Sequence, residues 1–555
     1  MTVGKVLGRR TCSPLEFWVA VSEDAYLQLD DVVCCRSTVP GRGEVEFFGV
    51  VESVEKVHEG LAFDTDVELV EAGILPVNTA YVAHVLVTRV EPELFVPPQP
   101  GSSVARAEGD ALDVALYFDG MNNRMVAGQM RNGETAYLNY DFLAGEKGAH
   151  INISGISGVA TKTSYALFLL YSLFRMKDIQ ASTNSHALVF NVKGEDLLYL
   201  DKPNKKLRDI DRQTYQKLGL SCEPFSSVAF YAPPHDGESL IPKVVRTEGV
   251  TAFVWSMREF AEAELFRYLF AEGGQTLSQL EFAVERITHL LKRAAQASPA
   301  GRVLLGGTPL RSLEQFADFL SEAIEDDDWF GKTATGTRQA LVRRLQASVR
   351  YVDPLLREQV DEPGRHRIDF TNRQVTVVDI HNLHARAKAF VVGAVLKTLF
   401  EAKDQVATPE PRVYVVLDEL NKYAPKRGWN PIKDILLDVA ERGRSMGIIL
   451  IGAQQTASEI EDRIVSNAAF RVAGRLDAAE GQKAHYGWLA GSYRQRAAIL
   501  KPGTMIVHQP ELPSPLAVRF PFPAWATRSQ EVANEPLDGQ REEALRKLLP
   551  PGSRR

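Results

Sequence analysis

The chain contains 555 residues, of which 45% are hydrophobic and 24% charged, and this composition excludes a disordered or fibrous protein. The formal net charge of −7 offers no general electropositive field to a polyanion, so any contact with nucleic acid must be local. No apolar run is long enough to span a membrane, and the basic residues near Met1 are not followed by the apolar segment of a signal peptide. We therefore expect a soluble, cytoplasmic protein with no membrane partner.

The first part of the chain predicts a small β-barrel or sandwich. Strand-like runs that alternate between apolar and polar residues occur at 45–51 and 80–87. Four prolines between Pro92 and Pro100 then indicate a linker, because proline fixes φ and cannot donate a backbone hydrogen bond. We expect an N-terminal barrel domain over residues 1–100.

After this linker, apolar strands alternate with helical patterns, which is typical of a parallel sheet covered by helices on both faces. Strands buried on both faces are predicted by nearly uniform apolar runs at 374–379, 412–418 and 447–452. Helical periodicity dominates between the two parts of the sheet. The expected divisions are a first core part at 101–220, a helical insertion at 221–350, a second core part at 351–510 and a C-terminal extension at 511–555.

A glycine-rich turn between a strand and a helix carries the first chemical motif. Residues 150–164, HINISGISGVATKTS, have the order of a phosphate loop, in which backbone N–H groups and the helix N-terminus attract phosphate. The lysine would reach the β and γ phosphates, and the adjacent hydroxyl would ligate Mg²⁺. The expected nucleotide-binding residues are Gly155, Ser157, Gly158, Val159, Ala160, Thr161, Lys162, Thr163 and Ser164.

This motif departs from the phosphate-loop consensus, because Ile156 and Thr161 stand where glycine is usual. Either Gly155 and Gly158 still shape the loop with one residue added before Lys162, or the loop is weakened and hydrolysis is slow. A glycine-rich turn followed by an incidental Lys-Thr pair is the structural alternative.

An apolar strand that ends in Asp418 and Glu419 provides the second motif. We expect Asp418 to hold Mg²⁺, and Glu419 to orient and polarise the water that attacks the γ-phosphate. The alternative is that both carboxylates only solvate a strand end. A further buried strand ends at Gln454 and Gln455, which would bring an amide near the γ-phosphate, with Gln455 as the candidate sensor.

These segments, together with 136–143, 441–447 and 464–476, resemble the HerA family of hexameric DNA translocases, which are relatives of FtsK. The resemblance covers most of the chain. It implies a RecA-like P-loop ATPase core with a helical insertion, preceded by the barrel, and it implies ATP and Mg²⁺ as cofactors. It also implies a homohexamer that acts on double-stranded DNA, with a nuclease or Sir2-like NADase effector docked on the barrel. The pathway would be DNA end processing in repair or antiphage defence.

The resemblance further implies an arginine that reaches the γ-phosphate from a neighbouring subunit. Arg442 and Arg444 are the first candidates, and Arg471 and Arg475 the second. Any of them could instead be an ordinary surface or salt-bridged residue.

Two basic loops are candidates for gripping the DNA backbone. The expected contacts are Lys202, Lys205, Lys206 and Arg208 in one loop, and Lys422, Lys426 and Arg427 in the other. Solvated charged loops are the competing interpretation.

Two other functions remain open at this stage. The chain could be a catalytically weak ATP-binding ring that scaffolds and activates an effector, or a conjugation or secretion ATPase. A metal site at His150, His381 and His384 is not favoured, because no cysteine or carboxylate ligand spacing surrounds them, and structural or solvated histidines are expected.

Overall fold

The computed structural model describes residues 2–8, 10–59, 66–74, 78–156, 162–176, 182–194, 196–235, 237, 240–246, 248–271, 278–406, 408–489 and 491–532. The chain forms two compact units. The first, called the barrel unit, comprises Met1–Asp141, Gly155–Thr161 and Ala469–Pro521. The second, called the sheet unit, comprises Phe142–Ser154, Lys162–Ala468 and Phe522–Arg555. Among the described helices, none combines the length and the hydropathy needed to cross a bilayer.

The barrel unit begins with six antiparallel strands that close into a barrel in the order β1–β2–β5–β4–β3–β6. Strands β1 to β8 are Thr2–Val6, Glu16–Val21, Val32–Val39, Gly43–Glu59, Asn78–Glu91, Ser103–Arg106, Arg124–Gln129 and Thr135–Asn139. Helix α1 is Asp66–Glu71 and helix α2 is Asp110–Ala115. Alternate residues such as Phe17, Phe47 and Val85 fill the interior, as the alternating sequence pattern predicted.

The proline-rich segment after β5 lies inside the barrel domain. We expected it to end the domain, but β6 follows it and pairs with both β1 and β3, which closes the barrel. The segment is held to β1 by two backbone hydrogen bonds, from Gly101 to the carbonyl of Val6 and from Val6 to the carbonyl of Ser102. Extended backbone that prolines favour can thus connect two barrel strands as well as two domains.

The sheet unit is built on seven parallel strands in the order β12–β11–β17–β10–β18–β19–β9. Strands β9 to β19 are Ile151–Ser154, Ser185–Asn191, Val228–Ala232, Val250–Ala252, Trp255–Ser256, Leu304–Leu305, Thr308–Pro309, Leu356–Arg357, Val375–Asp379, Arg412–Asp418 and Ile448–Gln454. The three uniformly apolar runs of the sequence form β17, β18 and β19, and nearly all their residues are buried, as predicted for strands covered on both faces.

Helices of the sheet unit cover this sheet and form one large core with it. Helices α3 to α14 are Lys162–Leu173, Asp209–Lys217, Met257–Glu262, Ser278–Ala297, Leu313–Glu322, Asp327–Phe330, Thr335–Val352, Pro363–His366, Ala385–Val406, Leu420–Tyr423, Pro431–Met446 and Asp462–Ser466. The barrel unit is completed by α15 Ala478–Gly481, α16 Gly491–Ala497, β20 Phe470–Ala473, β21 Thr504–His508 and β22 Leu516–Arg519. These last three strands join β7 and β8 in the antiparallel order β20–β21–β22–β7–β8.

Two expected boundaries differ from the structure. The helical insertion was placed from residue 221, but β11 and β12 precede α5 and lie at one edge of the parallel sheet, because such short apolar runs resemble helix segments in sequence. The extension at 511–555 contributes β22 to the sheet of the barrel unit, and its helical pattern at 541–549 lies outside the described residues.

A tight helix-to-strand turn sets the position of β19. Helix α13 begins where the side chain of Asn430 accepts a hydrogen bond from the N–H of Ile432, with Pro431 as the first helical residue. It ends at Gly447, whose φ is 72° and whose added Cβ would lie 1.7 Å from the carbonyl oxygen of Pro409. Only glycine fits there, and β19 starts at the next residue. The structure confirms the predicted α/β class, with a parallel sheet covered by helices and a closed β-barrel formed by the N-terminal strands.

Candidate functional site

Buried polar side chains gather where the parallel strands end. Gln454 of β19 lies opposite Ser154 of β9 in the strand register, and Asn191 of β10 lies opposite Asp379 of β17. Asp418, the last residue of β18, stands between these two pairs in the strand order. All five side chains are buried. Polar groups lose hydration when buried, so such a row at the carboxyl edge of a parallel sheet is characteristic of a ligand site.

The phosphate-loop motif starts at this edge. Gly155 follows β9 directly, and an added Cβ there would lie 3.3 Å from the carbonyl oxygen of Arg475. The next residue, Ile156, donates its N–H to the same carbonyl at 2.7 Å. Ser157, Gly158, Val159, Ala160 and Thr161, all expected to bind nucleotide, lie outside the described residues. The motif resumes with Lys162, Thr163 and Ser164, which form the first turn of α3.

Lys162 is a buried lysine at the start of α3. Its pKa is lowered to about 8, mainly because of burial; the carboxylates of Asp418 and Glu419 oppose this shift, and the nearby charge of Lys193 adds to it. A buried ammonium group is costly because it has lost its hydration, and an anionic ligand would compensate that loss. The expected role of Lys162 as a phosphate contact therefore fits its surroundings.

Thr163 and Asp418 are in direct contact. The Thr163 hydroxyl donates to Oδ2 of Asp418 at 3.2 Å, although 255 residues separate them in sequence. The other carboxylate oxygen accepts the N–H of Glu419 at 2.8 Å. A hydroxyl and a carboxylate this close together are suited to share one hard divalent cation. If the glycine-rich motif and the acidic strand end form one nucleotide site, Thr163 and Asp418 must lie this close together.

A second lysine, Lys193, reaches the same carboxylates from the loop after β10. Its Nζ lies 3.0 Å from Oδ2 of Asp418 and 3.6 Å from Oε1 of Glu419. No motif in the sequence points to Lys193. Its only sequence signal was a cation two residues after a buried strand, which became meaningful once β10 was found beside β18.

Glu419 is held in an unusual backbone conformation. Its φ is 58°, in the left-handed region, where it precedes the short helix α12. Oε2 of Glu419 pairs with Nζ of Lys422 at 2.5 Å, while Oε1 faces Lys193. Left-handed backbone in a residue other than glycine is a strain that often occurs at functional sites.

The two glutamines after β19 differ in position. Gln454 is fully buried and donates its Nε2 to Oδ1 of Asn152 at 2.7 Å and to Oγ of Ser154 at 2.9 Å. Its Oε1 is buried and accepts no hydrogen bond from the described residues. Gln455, the expected sensor, is exposed just beyond the strand end. The sequence places both amides at the end of β19, but it does not show that Gln454 is buried and Gln455 is exposed.

Asp379, the last residue of β17, and His381, two residues further on, form a second polar pair. The imidazole Nδ1 of His381 donates to the Asp379 carboxylate at 2.9 Å, and Asn191 donates its Nδ2 to the same carboxylate at 2.6 Å. His150 and His384, the other two histidines considered as metal ligands, make structural contacts. His150 accepts the N–H of Leu450 on its Nδ1 at 2.9 Å, and burial lowers its pKa to about 4.

His384 stacks on Tyr351, with ring centroids 3.7 Å apart. The described residues contain no group of three or more histidine, cysteine or carboxylate side chains that could hold a metal ion.

The candidate arginines have different partners. Arg442 is exposed on α13 and pairs with Asp404 at 3.3 Å, whereas Arg444 donates to the backbone carbonyls of Gly145 and Glu146. In the barrel unit, Arg471 is half-buried on β20, and Arg475 donates to the carbonyl of Ala498 at 3.1 Å. Both side chains are exposed, and they differ in that the guanidinium of Arg444 is held by backbone carbonyls whereas that of Arg442 pairs with an exposed carboxylate.

The cations expected to contact DNA fall into two groups. Four are paired with carboxylates: Lys206 with Glu531, Arg208 with Asp211, Lys422 with Glu419 and Lys426 with Asp462. The other three are Lys202, Lys205 and Arg427, which form no ion pair with any residue that the structure describes. Lys422 in particular is paired with Glu419, which follows the end of β18.

Comparison with known proteins gives weak similarities. No family model matches the chain. It is 25% identical over 253 residues to the proteasome-activating nucleotidase of Methanocaldococcus jannaschii, a match that covers 42% of this chain and 57% of that protein. The chain thus spans little more than half the length of this curated relative.

Among solved structures, the chain is similar to VirB4 of Thermoanaerobacter pseudethanolicus, at 13% identity and a TM-score of 0.43, over 76% of this chain and 99% of that one. It is also similar to the plasmid coupling protein TrwB in complex with ADP and Mg²⁺, at 12% identity and a TM-score of 0.46, over 74% and 98%. Similarities this low leave the function to be inferred from the residues of the site.

Proposed function

We propose that this chain is an ATP-driven, ring-forming translocase for double-stranded DNA that works with a nuclease or other effector. The observation that carries the proposal is the 3.2 Å contact between the Thr163 hydroxyl and the Asp418 carboxylate. It joins the helix start after the glycine-rich turn to the acidic strand end, with the buried ammonium group of Lys162 nearby. This combination is the one that phosphoryl transfer from a nucleoside triphosphate needs.

Each group at the strand edge has a separate role in this proposal. Lys162 neutralises the β and γ phosphates of ATP, and Thr163 and Asp418 hold Mg²⁺. The metal ion, when bound, supplies charge neutralisation to the phosphates. Glu419 orients the attacking water with one carboxylate oxygen, while Lys422 keeps the other oxygen fixed. The amides of Gln454 and Gln455 respond to loss of the γ-phosphate.

An arginine from the neighbouring subunit completes the site in a ring. Arg442 is the first candidate because it is exposed and its only ion pair within the described residues is with the exposed carboxylate of Asp404. Arg444 is less suited, because its guanidinium is engaged by two backbone carbonyls. The proposed assembly is a homohexamer, in keeping with the resemblance to the HerA family.

Contact with DNA falls to Lys202, Lys205 and Arg427, whose charges are not neutralised by described carboxylates. Contacts of this kind grip phosphates without reading sequence. The barrel, which lies outside the catalytic sheet in sequence, is the proposed platform for the effector, whether a nuclease or a Sir2-like NADase. Both repair of DNA ends and antiphage defence are compatible with this division of roles.

The decisive experiment measures ATP hydrolysis with and without duplex DNA for the wild-type chain, Lys162→Ala and Glu419→Gln. The proposal predicts stimulation by DNA in the wild type, and loss of hydrolysis in both variants with Glu419→Gln still binding ATP. A scaffold would activate its partner equally well in all three proteins. A conjugation ATPase would be indicated by stronger stimulation with single-stranded than with duplex DNA.

A further inference from the structure

One helix of the insertion presents a basic face with no partner in the described structure. Helix α9 contains four arginines and no aspartate or glutamate: Arg338, Arg343, Arg344 and Arg350. Arg338 is buried and pairs with Asp327 at its own end of the insertion. The other three form no ion pair with any described residue, and Arg343 and Arg350 are exposed, seven residues apart on the same side of the helix.

The preceding segment has the opposite charge. Residues 313–330, which contain α7 and α8, carry seven carboxylates and no lysine or arginine. Glu314, Asp318 and Glu322 follow one another at four-residue spacing and are exposed. None of these three forms an ion pair with a described residue, so this acidic face is as unpartnered as the basic face of α9.

The two helices run in opposite directions beside each other. The carboxylate of Asp353, just after α9, accepts the N–H groups of Leu313 and Glu314 at the start of α7. Ser348 and Leu345 of α9 and Phe316 of α7 belong to the buried core of the insertion. The module is therefore a helical hairpin with one acidic edge and one basic edge. Its described internal ion pair, between Arg338 and Asp327, leaves Glu314, Asp318, Glu322, Arg343 and Arg350 without an ion-pair partner among the described residues.

We propose that the basic face of α9 in one copy of the chain binds the acidic face of α7 in the next copy. A second copy is the occupant that the charges favour, because every copy carries both complementary faces. DNA is disfavoured at this face, since the neighbouring carboxylates of α7 would repel a uniform polyanion, whereas a second copy carries exposed cations beside its carboxylates. Where each neighbour engages only one of the two faces of a copy, the contact joins copies head to tail, which a closed ring requires, and in this respect the inference rests on the proposed function.

Charge reversal tests this contact with the full-length chain. The basic-reversed variant carries Arg343→Glu and Arg350→Glu, and the acid-reversed variant carries Asp318→Lys and Glu322→Lys. Arg293→Glu is the matched control, because Arg293 is an exposed cation on α6 in the same insertion and forms no ion pair with a described residue. Mass photometry over a dilution series, at low and high salt, reports the concentration at which half of the chains are assembled.

We expect each reversed variant to need about tenfold more protein for half assembly than the wild type or the control, with the difference shrinking at high salt. Mixing the two reversed variants should restore assembly, because one then offers two basic faces and the other two acidic faces. The same restoration is expected when all four substitutions are combined in one chain.

Two results would overturn the inference. In one, both reversed variants assemble like the wild type, with or without loss of DNA affinity in a filter-binding assay. In the other, assembly is lost but mixing does not restore it. If the wild type itself stays monomeric at every concentration with ADP and Mg²⁺ present, the proposed ring is wrong. ATP hydrolysis by those single chains would then show that the nucleotide site is nevertheless correct.

Discussion

The charges at the strand edge and those on the α7–α9 hairpin are arranged in opposite ways. At the strand edge, Asp418 and Glu419 face Lys193 and Lys422 within hydrogen-bonding or ion-pair distance, and Asp418 is buried. On the hairpin, like charges lie along the same exposed face and find no partner within the described chain. At the strand edge, charges of both signs lie together and form a site suited to chemistry. On the hairpin, charges of opposite sign lie on separate faces, and each face is suited to bind a molecule of the opposite charge.

The largest expected effect comes from the convergent site. Asp418→Asn removes the charge that Thr163 and Lys193 contact, and we expect ATP hydrolysis to fall about a thousandfold, because a metal ion would lose its carboxylate ligand. Glu401→Gln, which changes a half-buried carboxylate whose one ion pair among the described residues is with Lys397, should leave the rate unchanged. Steady-state phosphate release measures both. Equal rates for the two variants would remove Asp418 from the mechanism.

The second prediction compares how well each region tolerates the replacement of a glycine by alanine. Gly447→Ala places a Cβ against the carbonyl of Pro409 at a positive φ, and should lower the free energy of unfolding by about 3 kcal/mol. Gly336→Ala, on α9 with nothing within 4 Å of the added Cβ, should raise it by about 0.5–1 kcal/mol. Urea denaturation followed by circular dichroism measures both values, and a neutral Gly447→Ala would show that β19 is not fixed by this turn.

The third prediction concerns Arg442, an exposed arginine that we propose stabilises the transition state of ATP hydrolysis. Arg442→Ala should reduce the hydrolysis rate about a hundredfold without changing nucleotide affinity, because the arginine acts only on the charge that develops in the transition state. Arg444→Ala is the comparison, since its guanidinium is held by backbone carbonyls. Turnover at saturating ATP separates them. A larger loss in Arg444→Ala than in Arg442→Ala would reverse the assignment.

The smallest predicted effect is a pH dependence of ATP affinity. Burial lowers the pKa of Lys162 to about 8, so the ammonium form is present below that pH and is lost as the pH rises through it. Affinity should therefore be constant below about pH 7 and fall about tenfold per unit above pH 8, until the pKa of the nucleotide-bound lysine is reached. Lys162→Arg keeps its charge over this range and should show no such fall. Fluorescent nucleotide titrations compare the two profiles, and identical profiles would contradict the role of Lys162.

The sequence predicted those parts of the site that motifs or strand patterns carry. Uniform apolar runs located β17, β18 and β19, and residue types in fixed order identified Lys162, Thr163 and Asp418. Lys193 was missed because its contact with Asp418 spans 225 residues and depends on β10 lying beside β18, which no local pattern encodes. The pairing of Lys422 with Glu419 depends on the left-handed backbone at Glu419, which sequence does not reveal in a residue other than glycine.

The boundaries of the domains were less predictable for a similar reason. A strand of three residues such as β12 has no periodicity to read, and a proline-rich segment is equally compatible with a linker and with a connection inside a barrel. Both questions were settled by strand pairing, which is a tertiary property. Charge segregation on the hairpin, by contrast, is visible in the sequence alone. Its interpretation depends on the structure, in which Arg343, Arg350, Asp318 and Glu322 form no ion pair with any described residue.

The most direct test of the account is whether Thr163 and Asp418 hold a metal ion that strengthens nucleotide binding. Calorimetric titration of ADP into the wild type and Asp418→Asn, with and without Mg²⁺, measures this. We predict that Mg²⁺ raises the affinity of the wild type about tenfold or more and leaves that of Asp418→Asn unchanged. Absence of ADP binding by the wild type, or an equal gain from Mg²⁺ in both proteins, would contradict the account.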